Sequence, residues 1–310
     1  MSWQPSASIE VLKARANLNA FVREFFALRN VMEVETPLLS HAAVSDVHLQ
    51  PVVVQCCGGP MFLHTSPEYP MKRLLAAGSG DIYQICKVFR DHEHGGRHNP
   101  EFTMLEYYRL GFSLETLMDE VAELVGNLLN IQARYTFSYR EVFQRYLGID
   151  PFTESSETLL RLAQSHMNTD IDLTRDACLD VLMTHGIEPQ LPENALVFIS
   201  AYPGSQAALA NTYESADGYS VAKRFELYVN GIELANGYDE LVDVEEQKQR
   251  FANDSAQNQR TFPQDQHFIN ALQAGLPPCS GVAIGIDRVL MLQQTLARID
   301  QVLSFSIDNA

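Results

Sequence analysis

The sequence predicts an α+β fold, an antiparallel sheet flanked by helices. Three observations predict it. The stretches "DIYQICKVF" (81–89) and 102–108 read as antiparallel partner strands joined by a long loop. "RFELYVNGIELANG" reads as a hairpin with Asn230-Gly231 as its two-residue turn. Helical stretches separate the strands without the regular alternation of a doubly wound sheet.

The elements follow in chain order. Residues 9 to 29 predict an amphipathic helix, with Ile9, Leu12, Ala16, Phe21, Phe25 and Leu28 near helical spacing. "VMEVETP" is a short strand stopped by Pro37. Ser113 is placed to cap a helix that carries Leu114, Leu117, Val121, Leu124, Val125 and Leu128 on one side. Residues 131 to 193 read as short helices and turns, an insertion or small subdomain. "ALVFIS" (195–200) is a buried strand, and residues 239 to 261 are a polar, exposed helix. "SGVAIGIDRVLMLQQ" is a glycine-punctuated strand running into a helix. The expected organisation is one catalytic domain over 1–310.

Composition narrows the function. The chain has 310 residues, 46% of them hydrophobic, enough for a sizeable core. Its net charge is -17, which disfavours a long tRNA or DNA footprint, since that needs clustered Lys and Arg. Cys56, Cys57, Cys86, Cys178 and Cys279 have no metal-ligand spacing, and an odd count suits a reducing cytosol. The N-terminus lacks a signal-peptide apolar run, and no stretch approaches the ~18 apolar residues of a membrane span. A cytoplasmic protein is expected.

Three segments carry chemistry, each open to a plainer reading. Around the Asn230-Gly231 turn, Tyr228 pairs with Glu233, so Glu226 and Glu233 share a face at a diagonal reach of about 7–8 Å. They are either solvated acids on an edge hairpin or ligands of Mg²⁺ beside substrate phosphates. On the glycine strand, Gly281, Ala283 and Gly285 share one face, and Val282, Ile284 and Ile286 the other. The first face is either a smooth floor for a flat ligand or a site of close backbone packing. Arg288 beyond it grips phosphate oxygens or makes a structural ion pair.

The third segment is "VFRDHEHGGRHNPEFTMLEYYR" (88–109). Phe102, Met104, Glu106 and Tyr108 fall on one strand face near Arg90. Phe102 either stacks on a base or packs in the core. Glu106 and Tyr108 either hold an ammonium group, or pair with an arginine and pack, respectively. His92, His94 and His98 lack the cysteines or HExxH pattern that would mark a metal site. No GxxxxGK(S/T) motif and no GxGxxG after a strand is present, so a nucleotide would be held in another way.

Together these segments resemble the catalytic core of a class II lysyl-tRNA synthetase. "EVETPLLS" is similar to its motif 1, "FRDHEHGGRHNPEFTMLEYY" to motif 2 and "GVAIGIDRVLML" to motif 3. "TSPEYPMKRLL" and "RFELYVNGIELANGYDEL" resemble the lysine-family segments between them. The chain departs from that pattern in starting at the catalytic core, with no anticodon-binding domain. It also has Ser66 for Ala, Ala283 for Gly, and His92 where motif 2 expects Glu, with Glu93 adjacent. These departures resemble the truncated paralogues that modify translation elongation factor P.

The resemblance implies a two-step, AMP-forming ligase using ATP and Mg²⁺. (R)-β-Lysine would be adenylated, then passed to a lysine ε-amine of elongation factor P. It implies that Arg90 holds the α-phosphate and the substrate carboxylate, and Arg288 the γ-phosphate. Phe102 would stack on adenine, with Asp91, His92 and Asn99 around the base and Leu234 and Gly285 completing the nucleotide contacts. Glu226 and Glu233 would carry Mg²⁺, and Glu233 would also contact the nucleotide. Glu68 would meet the amino group, Glu106, Tyr108 and Glu240 the distal ammonium, and Asn236 the carboxylate. Ser66 and Ala283 would line the amino-acid pocket. A homodimer through Pro37 is implied, and tRNA is not an expected partner. The competing readings are a lysine-adenylating ligase with another acceptor, and an inactive regulatory binding protein.

Overall fold

The computed structural model describes residues 3–44, 49–257 and 262–310. In chain order it contains α1 (Ile9–Ala27), β1 (Met32–Glu33), β2 (Leu39–Ser40), β3 (Val53–Cys56), β4 (Gly59–Leu63), α2 (Glu68–Ala76), β5 (Ile82–Phe89), β6 (Glu101–Leu110) and α3 (Leu114–Leu129). There follow β7 (Arg134–Ser138), α4 (Tyr139–Leu147), α5 (Ser156–Met167), α6 (Arg175–Val181), β8 (Leu196–Pro203), β9 (Thr212–Glu214), β10 (Ser220–Val229) and β11 (Ile232–Asp239). The last elements are α7 (Val244–Gln257), α8 (Gln266–Gly275), β12 (Cys279–Gly285) and α9 (Ile286–Gln293). The chain divides into two compact units, Met1–Ser113 with Leu241–Ala310, and Leu114–Glu240.

In the first unit β5, β6 and β12 pair antiparallel, and β1 adds parallel to β5. A small antiparallel sheet runs β2-β4-β3. Ser8 caps α1 by accepting from Val11 N. The buried face of α1 differs from the expected one. It is Val11, Leu18, Val22, Phe25 and Phe26, while Ile9 and Leu28 are 55% and 75% exposed. Alternative apolar stripes exist on this helix, and Phe26 selects between them. Its ring stacks on Tyr83 of β5 at 4.4 Å and meets Tyr107 of β6 at 4.9 Å. The expected exposed helix is α7, but it buries Gln247 and Phe251. Its expected extension over 258–261 lies outside the described residues.

In the second unit the strand order is β11-β10-β8-β7, with β9 on β10. All pairs are antiparallel except β7 with β8. The leucines and valines expected on one side of α3 are all buried. Residues 131–193 supply β7 and α4–α6, together with a π-helical turn over Leu182–Ile187. Tyr139, Phe143, Leu159, Leu179, Leu182 and Ile187 of this stretch form a core with Val197 and Ile199 of β8. Ser138 and Glu141 cap α4 reciprocally, fixing where that helix starts.

The hairpin turn is as expected. Asn230 and Gly231 both have positive φ, 51° and 67°, as a type I′ turn requires. Gly231 is needed for space as well, since a Cβ there would lie 2.8 Å from the Glu188 carbonyl oxygen. The pairing Tyr228↔Glu233 also holds, but the next pairs are Leu227↔Ala235 and Glu226↔Asn236. Leu234 is therefore an extra residue, a β-bulge. Its consequence is directional. In a regular strand Glu233 and Asn236, three apart, would point to opposite faces. The bulge puts both on the face that carries Glu226 and Tyr228.

Candidate active site

In the first unit the site residues gather on β5, β6 and β12. Register places Ala283 across from Glu106, Gly281 across from Tyr108, and Gly285 across from Met104. The opposite strand contributes Gln84 across from Glu106 and Cys86 across from Met104. Val282, Ile284 and Ile286 are buried, so the small residues form the other face, with Ala283 and Gly285 partly open. Glu106 is buried and accepts from the Tyr108 hydroxyl at 2.7 Å. Burial and then the Glu106 charge push the Cys86 thiol up to about 12, so it stays protonated beside the carboxylate.

Glu68 opens α2 directly after Pro67, with Ser66 just before. One turn on, the buried Lys72 donates to Glu68 Oε1 at 2.6 Å. Lys72 Nζ also lies 6.0 Å from the centre of the Tyr108 ring. The Glu68 charge is therefore already shared with Lys72. Lys72 was not among the expected site residues, although its i,i+4 spacing from Glu68 was readable.

Arg90 follows β5, and its guanidinium carbon sits 5.0 Å from the Phe102 ring centre. Its Nη1 is 3.6 Å from Glu93 Oε1. Of the two residues competing for the motif 2 glutamate position, Glu93 lies beside Arg90. His92 has φ +65° and an exposed ring. Asp91 accepts from His92 N, and Asn99 is occupied at both ends of its amide. Asn99 Nδ2 donates to the Glu101 carbonyl at 2.6 Å, and its Oδ1 accepts from Ile307 N at 3.0 Å. Those two bonds make Asn99 a fastener of the loop.

The three histidines have separate partners. His94 is 3.3 Å from Asp308, and His98 Nε2 is 2.9 Å from Arg288 Nη2. Loss of solvent and the Arg288 charge lower the His98 pKa, so the neutral ring accepts from the guanidinium. Among the described residues, no group of three or more His, Cys, Asp and Glu is placed to hold a metal. Asp287 beside Arg288 is structural. It is buried, pairs with Arg15 and accepts from Thr103 N at 2.6 Å, tying α9 to α1 and β6.

In the second unit the site face centres on Arg224, which the sequence reading passed over. Its guanidinium donates to Glu226 Oε1, to Asn236 Oδ1 at 3.1 Å and to the Gln206 carbonyl at 2.8 Å. Glu226 is buried and also accepts from the hydroxyls of Tyr202 and Tyr228. The reading of Glu226 as a solvated acid is thus corrected, because it is buried and paired with Arg224. Burial followed by the Glu226 charge raises the Tyr202 and Tyr228 pKa well above the ordinary value, so both hydroxyls stay protonated donors. The signal was present, since "RFELY" alternates Arg, Glu and Tyr on one face. Glu233 lies across from Tyr228 and is half-buried, Leu234 is buried at the bulge, and Glu240 is buried at a bridge to Ala210.

One pH effect follows from the first unit. His64 is buried, its Nε2 2.7 Å from the Lys87 carbonyl oxygen, and burial outweighs that bond to hold its pKa below the usual 6.5. The unfolded chain therefore binds a proton that the folded chain refuses. Stability is full above pH ~6.5 and falls as pH drops from there towards the lowered folded value. Urea midpoints measured from pH 7.5 to 5.5 should decline, and His64→Gln should make the decline shallower. An unchanged slope in the variant would refute the assignment.

The family is defined by the whole chain. Residues 1–309 match the model of the class II tRNA synthetases of the D, K and N group, and the chain belongs to that family. Within it, the chain is 46% identical over 323 aligned positions to the elongation factor P–(R)-beta-lysine ligase of Salmonella dublin, covering 100% of this chain and 98% of that protein. The proteins of that name from Salmonella arizonae and Salmonella paratyphi B are 45% and 46% identical over the same shares. Among the described residues, no helix is long and apolar enough to cross a membrane.

Proposed function

We propose that this chain is an ATP-dependent, AMP-forming ligase that adenylates (R)-β-lysine and transfers it to a lysine ε-amine of elongation factor P. The observation that carries this is 46% identity over the whole chain to relatives of that name. The substrate carboxylate attacks the α-phosphorus of ATP and pyrophosphate leaves. The acyl group then passes to the acceptor amine, forming an amide and releasing AMP. Arg90 balances charge on the α-phosphoryl oxygens, with Phe102 stacking on adenine and Arg288 moving from His98 to the γ-phosphate. Asn236 presents its amide N–H to the substrate carboxylate, because Arg224 holds its Oδ1. Glu106, buried and steadied by Tyr108, suits the distal ammonium with Glu240, and Glu68 would meet the amino group nearer the carboxylate.

Mg²⁺ would offset phosphate charge, and Glu226 and Glu233, which share a face, would carry it. Glu226 would have to exchange Arg224 for the ion. An inactive binding protein would have no use for Arg90, Arg288 and Glu233 together. The net charge of -17 argues against tRNA as the acceptor. The site is cytoplasmic on this reading.

The test is the mass of purified elongation factor P after incubation with this protein, ATP and each lysine isomer. The expected result is one β-lysyl addition on one lysine. Ala283→Gly should shift preference towards α-lysine by roughly 10-fold, since one methyl in a pocket discriminates at about that level. No mass change with active ATP–pyrophosphate exchange would point to another acceptor, and no exchange at all to the binding protein.

A homodimer is also proposed. Leu28, Met32, Leu38 and Val53 of the first unit are exposed apolar residues, close in sequence to Pro37. Sedimentation at micromolar concentration should give twice the monomer mass, and a stable monomer would remove the proposal.

A further inference from the structure

The turn between β3 and β4 contains adjacent cysteines. Cys56 ends β3 and pairs with Gly59, so Cys57 and Gly58 are the two turn residues. Both have positive φ, 53° and 88°. This is the type I′ geometry, which favours Asn or Gly at both positions. Cysteine at the first of them occupies a left-handed conformation that a non-glycine residue takes at a cost. The two sulfurs lie 3.5 Å apart. Cys57 is exposed and Cys56 half-exposed, and neither takes part in the site described above.

We infer that Cys56-Cys57 is a vicinal dithiol modification site, closed reversibly to a disulfide by a low-molecular-weight disulfide and able to chelate a trivalent arsenical. One thiolate attacks the small disulfide RSSR, forming a protein–SR mixed disulfide and releasing RS⁻. The neighbouring thiolate attacks the protein sulfur of that bond, closing the Cys56–Cys57 bridge and releasing the second RS⁻. The two thiol protons leave with the two RSH, so the protein is oxidised by two electrons and RSSR is reduced by two. The second attack is intramolecular and needs only a small approach of sulfurs already in contact. Adjacent α-carbons are about 3.8 Å apart, below the ~4.4–6.8 Å usual for disulfides, so the ring is readily reopened by thiols. Cys86, Cys178 and Cys279 are half-buried or buried and compete poorly.

The experiment treats the reduced full chain with glutathione disulfide, blocks remaining thiols with iodoacetamide, and reads the Cys56-Cys57 peptide by mass spectrometry. The expected result is a peptide two hydrogens lighter that takes no alkylation, and that takes two alkylations after dithiothreitol. Stoichiometric phenylarsine oxide should protect both cysteines from alkylation, and Cys57→Asn, which suits the turn, should abolish that protection. Persistent single glutathione adducts, a bridge to another cysteine, or full alkylation throughout would each overturn the inference. Cys56→Ser, which leaves the turn residue in place, must behave like Cys57→Asn in the arsenical assay. Retained protection in either variant would also overturn it.

Discussion

Replacing Arg224 with methionine should lower the unfolding free energy by about 3–5 kcal/mol, the range for breaking a buried ion pair from one side. Glu226 is buried and takes its countercharge from Arg224, while two tyrosine hydroxyls supply its other donors. Methionine fills much of the volume and removes only the charge and the donors. The carboxylate is then left anionic in a poorly solvated site or must take up a proton. Asn236 also loses the donor that orients its amide. Glu226→Gln should also destabilise, since it leaves the Arg224 guanidinium without its ion-pair partner. The double variant Arg224→Met, Glu226→Leu should recover much of the loss, because replacing both partners avoids the unpaired charge. Urea unfolding of the four proteins measures this. A loss under 1 kcal/mol for Arg224→Met would show that water reaches Glu226 and that the pair is not structural.

Arg90→Ala should reduce ATP–pyrophosphate exchange about 10²–10³-fold while leaving the melting temperature nearly unchanged. Arg90 sits on a connection after β5 and is partly exposed, so the fold has little need of it. On the proposed function it would supply a planar cation, set against Phe102 and steadied by Glu93 before charge develops on the α-phosphoryl oxygens. Arg90→Lys should recover little, since an ammonium has neither the bidentate fork nor the flat face that stacks on the ring. Exchange within threefold of the parent for Arg90→Ala would remove Arg90 from the adenylation step.

Local chemistry made much of this protein legible. Period-two alternation separated the faces of β6 and β12, setting Glu106 and Tyr108 on one side of β6 and Gly281, Ala283 and Gly285 on one side of β12. Asn230-Gly231 specified its own turn, since few other pairs tolerate two positive φ values in succession. The ordered motifs marked Arg90, Phe102, Glu106, Glu233 and Arg288 as candidates because reactive residue types stand at fixed intervals within them.

What the sequence could not supply were facts that depend on a neighbour from another element. The buried stripe of α1 was decided by Phe26 meeting Tyr83 and Tyr107. The parallel pairing of β7 with β8 joins segments some sixty residues apart, and no local pattern encodes it. The role of Glu226 turned on Tyr202 of β8 and on the bulge at Leu234. By itself the sequence determined which residues could bear charge, stack or turn. Only the tertiary structure decided which charges were already paired, as with Glu226 and Arg224 or Glu68 and Lys72, because a carboxylate's state depends on what else is buried within a few ångströms of it.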